Sequence, residues 1–221
     1  MLGPDFFHRD AQVVAKALLG KVIRHKINGK WLAARIIETE AYYLKEKGSH
    51  SSLGYTEKRK AMFMPAGTIY MYYARGRDSL NVSARGKGNA ILIKSGYPYF
   101  DKQSPQQNLK LMQKLNPGAH GSARSMKKLC AGQTLLCASL GLKVADWNQQ
   151  QFDKARFYFD DCHLKPSRII LTTRMGIPKG RDEHLPYRFI DYDHTRYCTS
   201  NPLTKKSWNE GKEYNILNKT I

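Results

Sequence analysis

Acidic residues are scarce in this chain. Asp and Glu together number 18 against 37 Lys and Arg in 221 residues, a formal net charge of +19. That imbalance points to a polyanionic partner, nucleic acid first and an acidic membrane surface second. Long apolar runs are also missing. The best, "VVAKALLGKVI" (Val13 to Ile23), is interrupted by Lys16 and Lys21, and nothing is long enough to span a bilayer. The first ten residues, "MLGPDFFHRD", lack the basic flank and apolar stretch of a signal peptide. These absences predict an intracellular protein with no membrane partner, in cytoplasm or nucleoid (in the nucleus if the source is eukaryotic). Nucleic acid is left as the favoured polyanion.

Cysteine is sparse too: Cys130, Cys137, Cys162 and Cys198, with no C-x-x-C pair. His194 and Cys198 are four apart but have no matching pair, which argues against a zinc site. A disulfide scaffold does not suit so long a chain with so few cysteines. Reduced, buried thiols and no metal are the expectation. There is no G-x-S-x-G and no recognisable nucleophile setting for a cysteine. "RGKG" (Arg85 to Gly88) is followed by neither a helix nor a Gly-Lys-Ser/Thr ending, so it is not a phosphate loop. Internal repeats and low-complexity blocks are absent.

What is present fits one domain over 1–221. Asp10 caps a helix over "AQVVAKALL", and Gly20 supplies its left-handed stop. "KVIRHKI" and "KWLAARIIETEAYY" flank Asn28-Gly29, a strong hairpin signal. Residues 44–60 are polar and read as a long loop, a length often associated with function. "GTIYMYY", "SLNVSA" and "NAILIKS" form a meander around the turns "ARGRD" and "RGKG". A helix follows with Ser104 as cap and Pro105 at its first position. "SARSMKKLCAGQTLLCASLGL" is helical in two pieces, broken near Gly132 and stopped at Gly141. "PSRIILTTRMGIPKG" and "YRFIDYD" give further strands, and the tail from about residue 200 reads as loosely held. The fold class is α+β: a curved, mostly antiparallel sheet, flanking helices and a protruding β-hairpin.

The stretch "RIIETEAYY" (Arg35 to Tyr43) carries the chemistry. Regular strand alternation would place Ile36, Glu38, Glu40 and Tyr42 on one face. A carboxylate beside an apolar interior is costly unless paired or used, and burial suits it to general acid or base work. Pairing with lysines on neighbouring strands, or exposure at a strand edge, are the structural alternatives. Tyr42, Tyr70 and Tyr72 could sandwich a flat ring, with Tyr73 on the opposite face of its strand. Tyrosine is also an ordinary strand residue. Carboxylates, aromatics and a basic surface together suit an enzyme that extrudes a base from duplex DNA. The arginines of "ARGRD" (Ala74 to Asp78) could fill the gap left by the extruded nucleotide, or the turn is simply solvated. Asn81 either reads a base edge or supports the turn, and His50 alone reads as a surface histidine.

In order along the chain, "LLGKVI", "ARIIETEAYY", "HSS", "AMFMPAGTIYMYY", "SLNVS", "AILIKS", "LCAG", "LCASLGL" and "TTRMGI" resemble the alkyladenine (3-methyladenine) DNA glycosylase family, from about Phe6 to Phe189. The resemblance implies a mixed α/β domain, monomeric and without metal or organic cofactor. Its partner would be double-stranded DNA containing damaged purines, which it flips out and cuts at the N-glycosidic bond. It implies that Glu40 is the catalytic carboxylate that activates water. Tyr42, His50 and Tyr72 would hold the flipped base, His50 largely through its backbone N–H. Asn81 would exclude undamaged guanine, and the Met175 backbone carbonyl would help hold the water. Lys94 stands where the family has an arginine, keeping charge but losing the fork, and a lysine there also admits attack on the sugar as an amine nucleophile. A one-residue deletion at the hairpin tip leaves two DNA-intercalating candidates, Arg75 and Tyr73. Gln133 and Leu135 replace the usual proline and lysine. The rival from another class is a non-catalytic nucleic-acid-binding domain, for which Glu40 has no use.

Overall fold

The computed structural model describes residues 1–205 and 207–218. Chain entry is through two helices. The first, α1 (Pro4–Phe7), has proline in its first turn; the second is α2 (Ala11–Leu18). Asp10 caps α2 by accepting from the N–H groups of Gln12 and Val13 at 2.9 and 3.4 Å. Asn28 and Gly29, both at positive φ, then turn β1 (Val22–Ile27) into β2 (Lys30–Tyr42) as the sequence predicts.

The thirteen-residue β2 is the spine. One edge pairs first with β1 and then with β8 (Arg188–Asp191); the other edge pairs with β5 (Ala90–Pro98). Outward from β5 lie β4 (Arg77–Ser83) and β3 (Ile69–Ala74). Outward from β8 lie β7 (Arg168–Thr172) and β9 (Tyr214–Asn218), while β6 (Phe157–Asp160) pairs with β1. All these strand pairs are antiparallel and the sheet is open. Two strands were not read from the sequence: β6, set among charged residues, and β9, which gives the expectedly loose tail an ordered edge along β7. Lys206 and 219–221 of that tail lie outside the described residues.

A β-bulge decides which way β2 presents its side chains. Ile36 faces Gly96 and Glu38 faces Ser95, leaving Ile37 as the extra residue. Leu32, Ala34, Ile36 and Ala41 therefore all enter the main core, packed with α2 and with α5 (Gln133–Leu140). Ile37 joins a second cluster with Ile170, Ile190 and Cys198. The expectation that Ile36 shares a face with Glu38, Glu40 and Tyr42 is corrected by this bulge, since one added residue inverts the two-residue period.

The remaining helices are α3 (Leu109–Leu115), α4 (Met126–Leu129) and α6 (Val144–Trp147). The helix expected to start at Ser104 starts later, because the Ser104 hydroxyl accepts from Arg24 instead of capping. Gly132 separates α4 from α5, and left-handed Gly141 ends α5. Among the described residues, no helix is long and apolar enough to cross a membrane. The long loop after β2 folds into two 3-10 turns, His50–Leu53 and Glu57–Phe63. The second packs Ala61 and Met62 against Tyr70 and Ala90, so the loop becomes one wall of a cavity.

Candidate active site

That cavity has a volume of about 940 Å³, within the range of sites for small organic groups. Tyr42, His50, Tyr70, Tyr72, Asn81 and Lys94 line it, and Met175 does so from the loop after β7. Tyr73 and Arg75 border it from the β3–β4 hairpin. The residues proposed from the sequence therefore lie around one cavity except the two carboxylates: Glu40 sits directly behind its wall, and Glu38 is paired with Arg188.

Glu40 is wholly buried. Its Oε2 accepts from the Tyr42 hydroxyl at 2.7 Å. Its Oε1 accepts from the Met175 backbone N–H at 3.2 Å and stands 3.4 Å from Lys94 Nζ. All three partners are wall residues, so the carboxylate is one side-chain layer from the cavity. Oε2 is closed by a short bond, while Oε1 has only long ones and is the freer oxygen to accept a proton. The observed Met175 contact is through its N–H.

Glu38 has a different fate. Its Oε1 accepts from Arg188 Nε at 2.7 Å and the Thr199 hydroxyl at 2.6 Å. Its Oε2 accepts from the Ser95 hydroxyl at 2.5 Å and the Thr199 N–H at 3.1 Å. Burial opposes the charge, but Arg188, Ser95 and Thr199 more than offset it and hold the carboxyl below its ordinary range. Of the two carboxylates raised by the sequence, Glu38 is the structural ion pair.

Tyr70 and Tyr72 lie nearly parallel, with ring centroids 5.7 Å apart. The His50 ring meets Tyr72 edge-on at 4.5 Å, and its Nδ1 is 3.1 Å from the Tyr70 hydroxyl. Desolvation, with help from Arg59 and Arg181, lowers the His50 pKa although part of the residue remains open to solvent. A neutral ring is favoured there. Burial and the Glu40 carboxylate push the Tyr42 phenol well above its ordinary value, keeping it a donor. Asn81 is held by donating Nδ2 to the Tyr70 carbonyl at 3.3 Å.

Tyr73 and Arg75 are both exposed at the hairpin, Tyr73 by 61%. Arg75 and Gly76 occupy the tip at φ 50° and 75°. The cavity lining also includes Arg77 and Arg181, and among the described residues it contains no carboxylate. Such a positive concavity draws in phosphate-bearing ligands.

Three residues add contacts to those proposed from the sequence, and two of them, Arg174 and Thr199, were not named there. Arg174 stacks over the Tyr42 ring at 4.6 Å and donates to the Ala41 carbonyl and to Glu46, fixing the tyrosine from behind. Gln133 places its Nε2 3.5 Å from the Tyr72 hydroxyl, and Thr199 forms part of the wall. Arg174 directly precedes Met175, so the "TTRMGI" motif held it in plain view.

A family model described as methylpurine-DNA glycosylase matches residues 5–195. The chain belongs to that family. A Pseudomonas aeruginosa protein provisionally named a 3-methyladenine DNA glycosylase is 60% identical over 215 residues, covering 97% of this chain and 90% of its own. A relative in Pseudomonas savastanoi pv. phaseolicola under the same provisional name is 61% identical, covering 97% and 96%. Mouse DNA-3-methyladenine glycosylase is 32% identical over 202 residues, 85% of this chain and 58% of the mouse protein. The chain is thus a DNA glycosylase, a hydrolase of N-glycosyl bonds in base-excision repair, and its substrate is DNA.

Proposed function

We propose that this glycosylase, acting as a monomer, flips an alkylated or deaminated purine out of duplex DNA and releases it with a water activated by Glu40. The observation that carries the reading is a buried carboxylate whose partners, Tyr42, Lys94 and Met175, all face the cavity. Tyr42 stacks on one side of the everted base, Tyr72 and His50 on the other. Each base–aromatic stack contributes about 1–3 kcal/mol. Asn81, fixed against the Tyr70 carbonyl, selects against undamaged guanine. Tyr73 or Arg75 enters the gap in the duplex.

The chemistry follows from the leaving group. N3-alkylation makes the purine cationic, so the glycosidic electron pair leaves with the base and neutralises it. Sugar C1′ becomes oxocarbenium-like, and the water oxygen bonds to it while Glu40 accepts the proton. The carboxylate also stabilises the positive sugar. A neutral lesion such as hypoxanthine needs a proton delivered to the base, which solvent supplies. Lys94 acts through its charge in this scheme, because an ammonium engaged by a carboxylate is a poor nucleophile.

Glu40→Gln tests the proposal. It keeps size and polarity but cannot take the proton. Base release from a duplex carrying one alkylated adenine should fall by at least about 100-fold, with the duplex still bound. Release at the native rate removes Glu40 from the mechanism. A wild-type protein that binds but releases no base would favour the non-catalytic nucleic-acid-binding alternative.

A further inference from the structure

The Glu38–Arg188 pair grips one cavity residue from two sides, and that residue lies past the end of the family match. Thr199 gives Glu38 both its backbone N–H, at 3.1 Å, and its hydroxyl hydrogen, at 2.6 Å. The same hydroxyl oxygen accepts from Arg188 Nη2 at 3.0 Å. It also stands 3.4 Å from Met175 Sδ. Glu38 and Arg188 are both completely buried. A threonine on the cavity wall is thus held by a network that water does not reach, and it touches the residue whose N–H holds Glu40.

We propose that Thr199 is a positioning residue for base release, resting on the reading of Glu40 as the proton acceptor. The hydroxyl, held by Glu38 and Arg188, packs against the Met175 sulfur at 3.4 Å and so limits the loop whose N–H sets the Glu40 Oε1. Among the described residues only that N–H and Lys94 address this oxygen, both at 3.2 Å or more, so a small displacement of the loop alters the alignment of the water. Misplacement by about an ångström at a reacting group can cost on the order of 100-fold in rate. Glu38 then has a reason to occupy the strand that carries Glu40. It anchors the chain segment after β8 against the cavity wall, and its four acceptor directions are all used for that purpose. The family match ends at residue 195, so Thr199 lies just beyond it.

Thr199→Val is the test, since it keeps shape and the backbone N–H and deletes only the hydroxyl. Single-turnover release from a duplex carrying one alkylated adenine should fall about tenfold. Affinity for the same duplex should stay within about twofold, because no stacking residue is disturbed. Thr199→Ser should restore release. Should the valine variant not fold, Thr199→Ala against Thr199→Ser gives the same comparison. Native release without the hydroxyl overturns the proposal, as does a loss of release and binding together that serine does not rescue. Glu40→Gln run alongside separates the two claims. Native release by that variant defeats the catalytic reading itself, whereas an inactive Glu40→Gln beside a fully active Thr199→Val defeats only the positioning role.

Discussion

Tyr42 reaches back along its own strand to donate a 2.7 Å hydrogen bond to Glu40. One residue therefore both faces the cavity and occupies one oxygen of the carboxylate, which in the proposed mechanism couples base stacking to the chemistry. The Arg174 guanidinium over the back of the ring keeps it in that pose.

Tyr42→Phe separates these two duties. The ring still stacks, so lesion binding should change by less than about threefold. A hydrogen bond to a charged group contributes about 1.5–3 kcal/mol, so single-turnover release should drop by roughly 10- to 100-fold. Quenched-flow base release beside equilibrium binding checks this. An equal loss in both would mean that the hydroxyl serves binding alone.

Glu38 makes stability sensitive to acid in a defined direction. Its folded-state pKa lies below the ordinary glutamate value of 4.5. The ion pair's contribution is therefore fully present above that value and is lost as pH falls through the lower, folded one. Glu38→Gln should flatten the decline in unfolding temperature below about pH 4.5. Arg188→Met, which strands the carboxylate, should cost about 3–5 kcal/mol at neutral pH. Thermal melts across pH 3–7 read both effects.

Arg75 and Tyr73 would act on duplex DNA through different physics, and salt dependence distinguishes them. Arg75→Ala should lower the slope of log K against log salt by about 0.9, the signature of one lost phosphate contact. Tyr73→Ala should weaken lesion binding by about 1–3 kcal/mol with the slope unchanged, as expected of a lost aromatic wedge. If neither variant affects lesion-duplex binding, the hairpin is not the inserting element.

Much of the framework was legible because it rests on local signals. Asn28-Gly29 demands its turn, Asp10 its helix, and Gly141 its stop. The aromatic and acidic members of the site were legible as well, through the order of short motifs. What stayed hidden depends on distant partners. Ile37 becomes the extra residue of β2 only because β5 and β8 pair as they do, and no alternation rule contains that. Glu38 and Glu40 look equivalent until Arg188, 150 residues away in sequence, takes the first. Ser104 forgoes capping because Arg24 claims it across 80 residues. β6 and β9 lack strong patterns of their own and are strands because β1 and β7 offer them edges.

The extra residue in β2 also bears on how this enzyme can evolve. Removing Ile37 would restore regular pairing, with Ile36 and Glu38 as neighbours opposite Gly96 and Ser95 and with Glu40 and Ala41 on their present faces, and would cost only the packing of Ile37 against Ile170, Ile190 and Cys198. Side chains around the hollow can drift, and the bulge can absorb a lost residue, but a one-residue change between Glu38 and Glu40 would turn the acid toward the interior under α2, so it is that short spacing that keeps a carboxylate behind the wall.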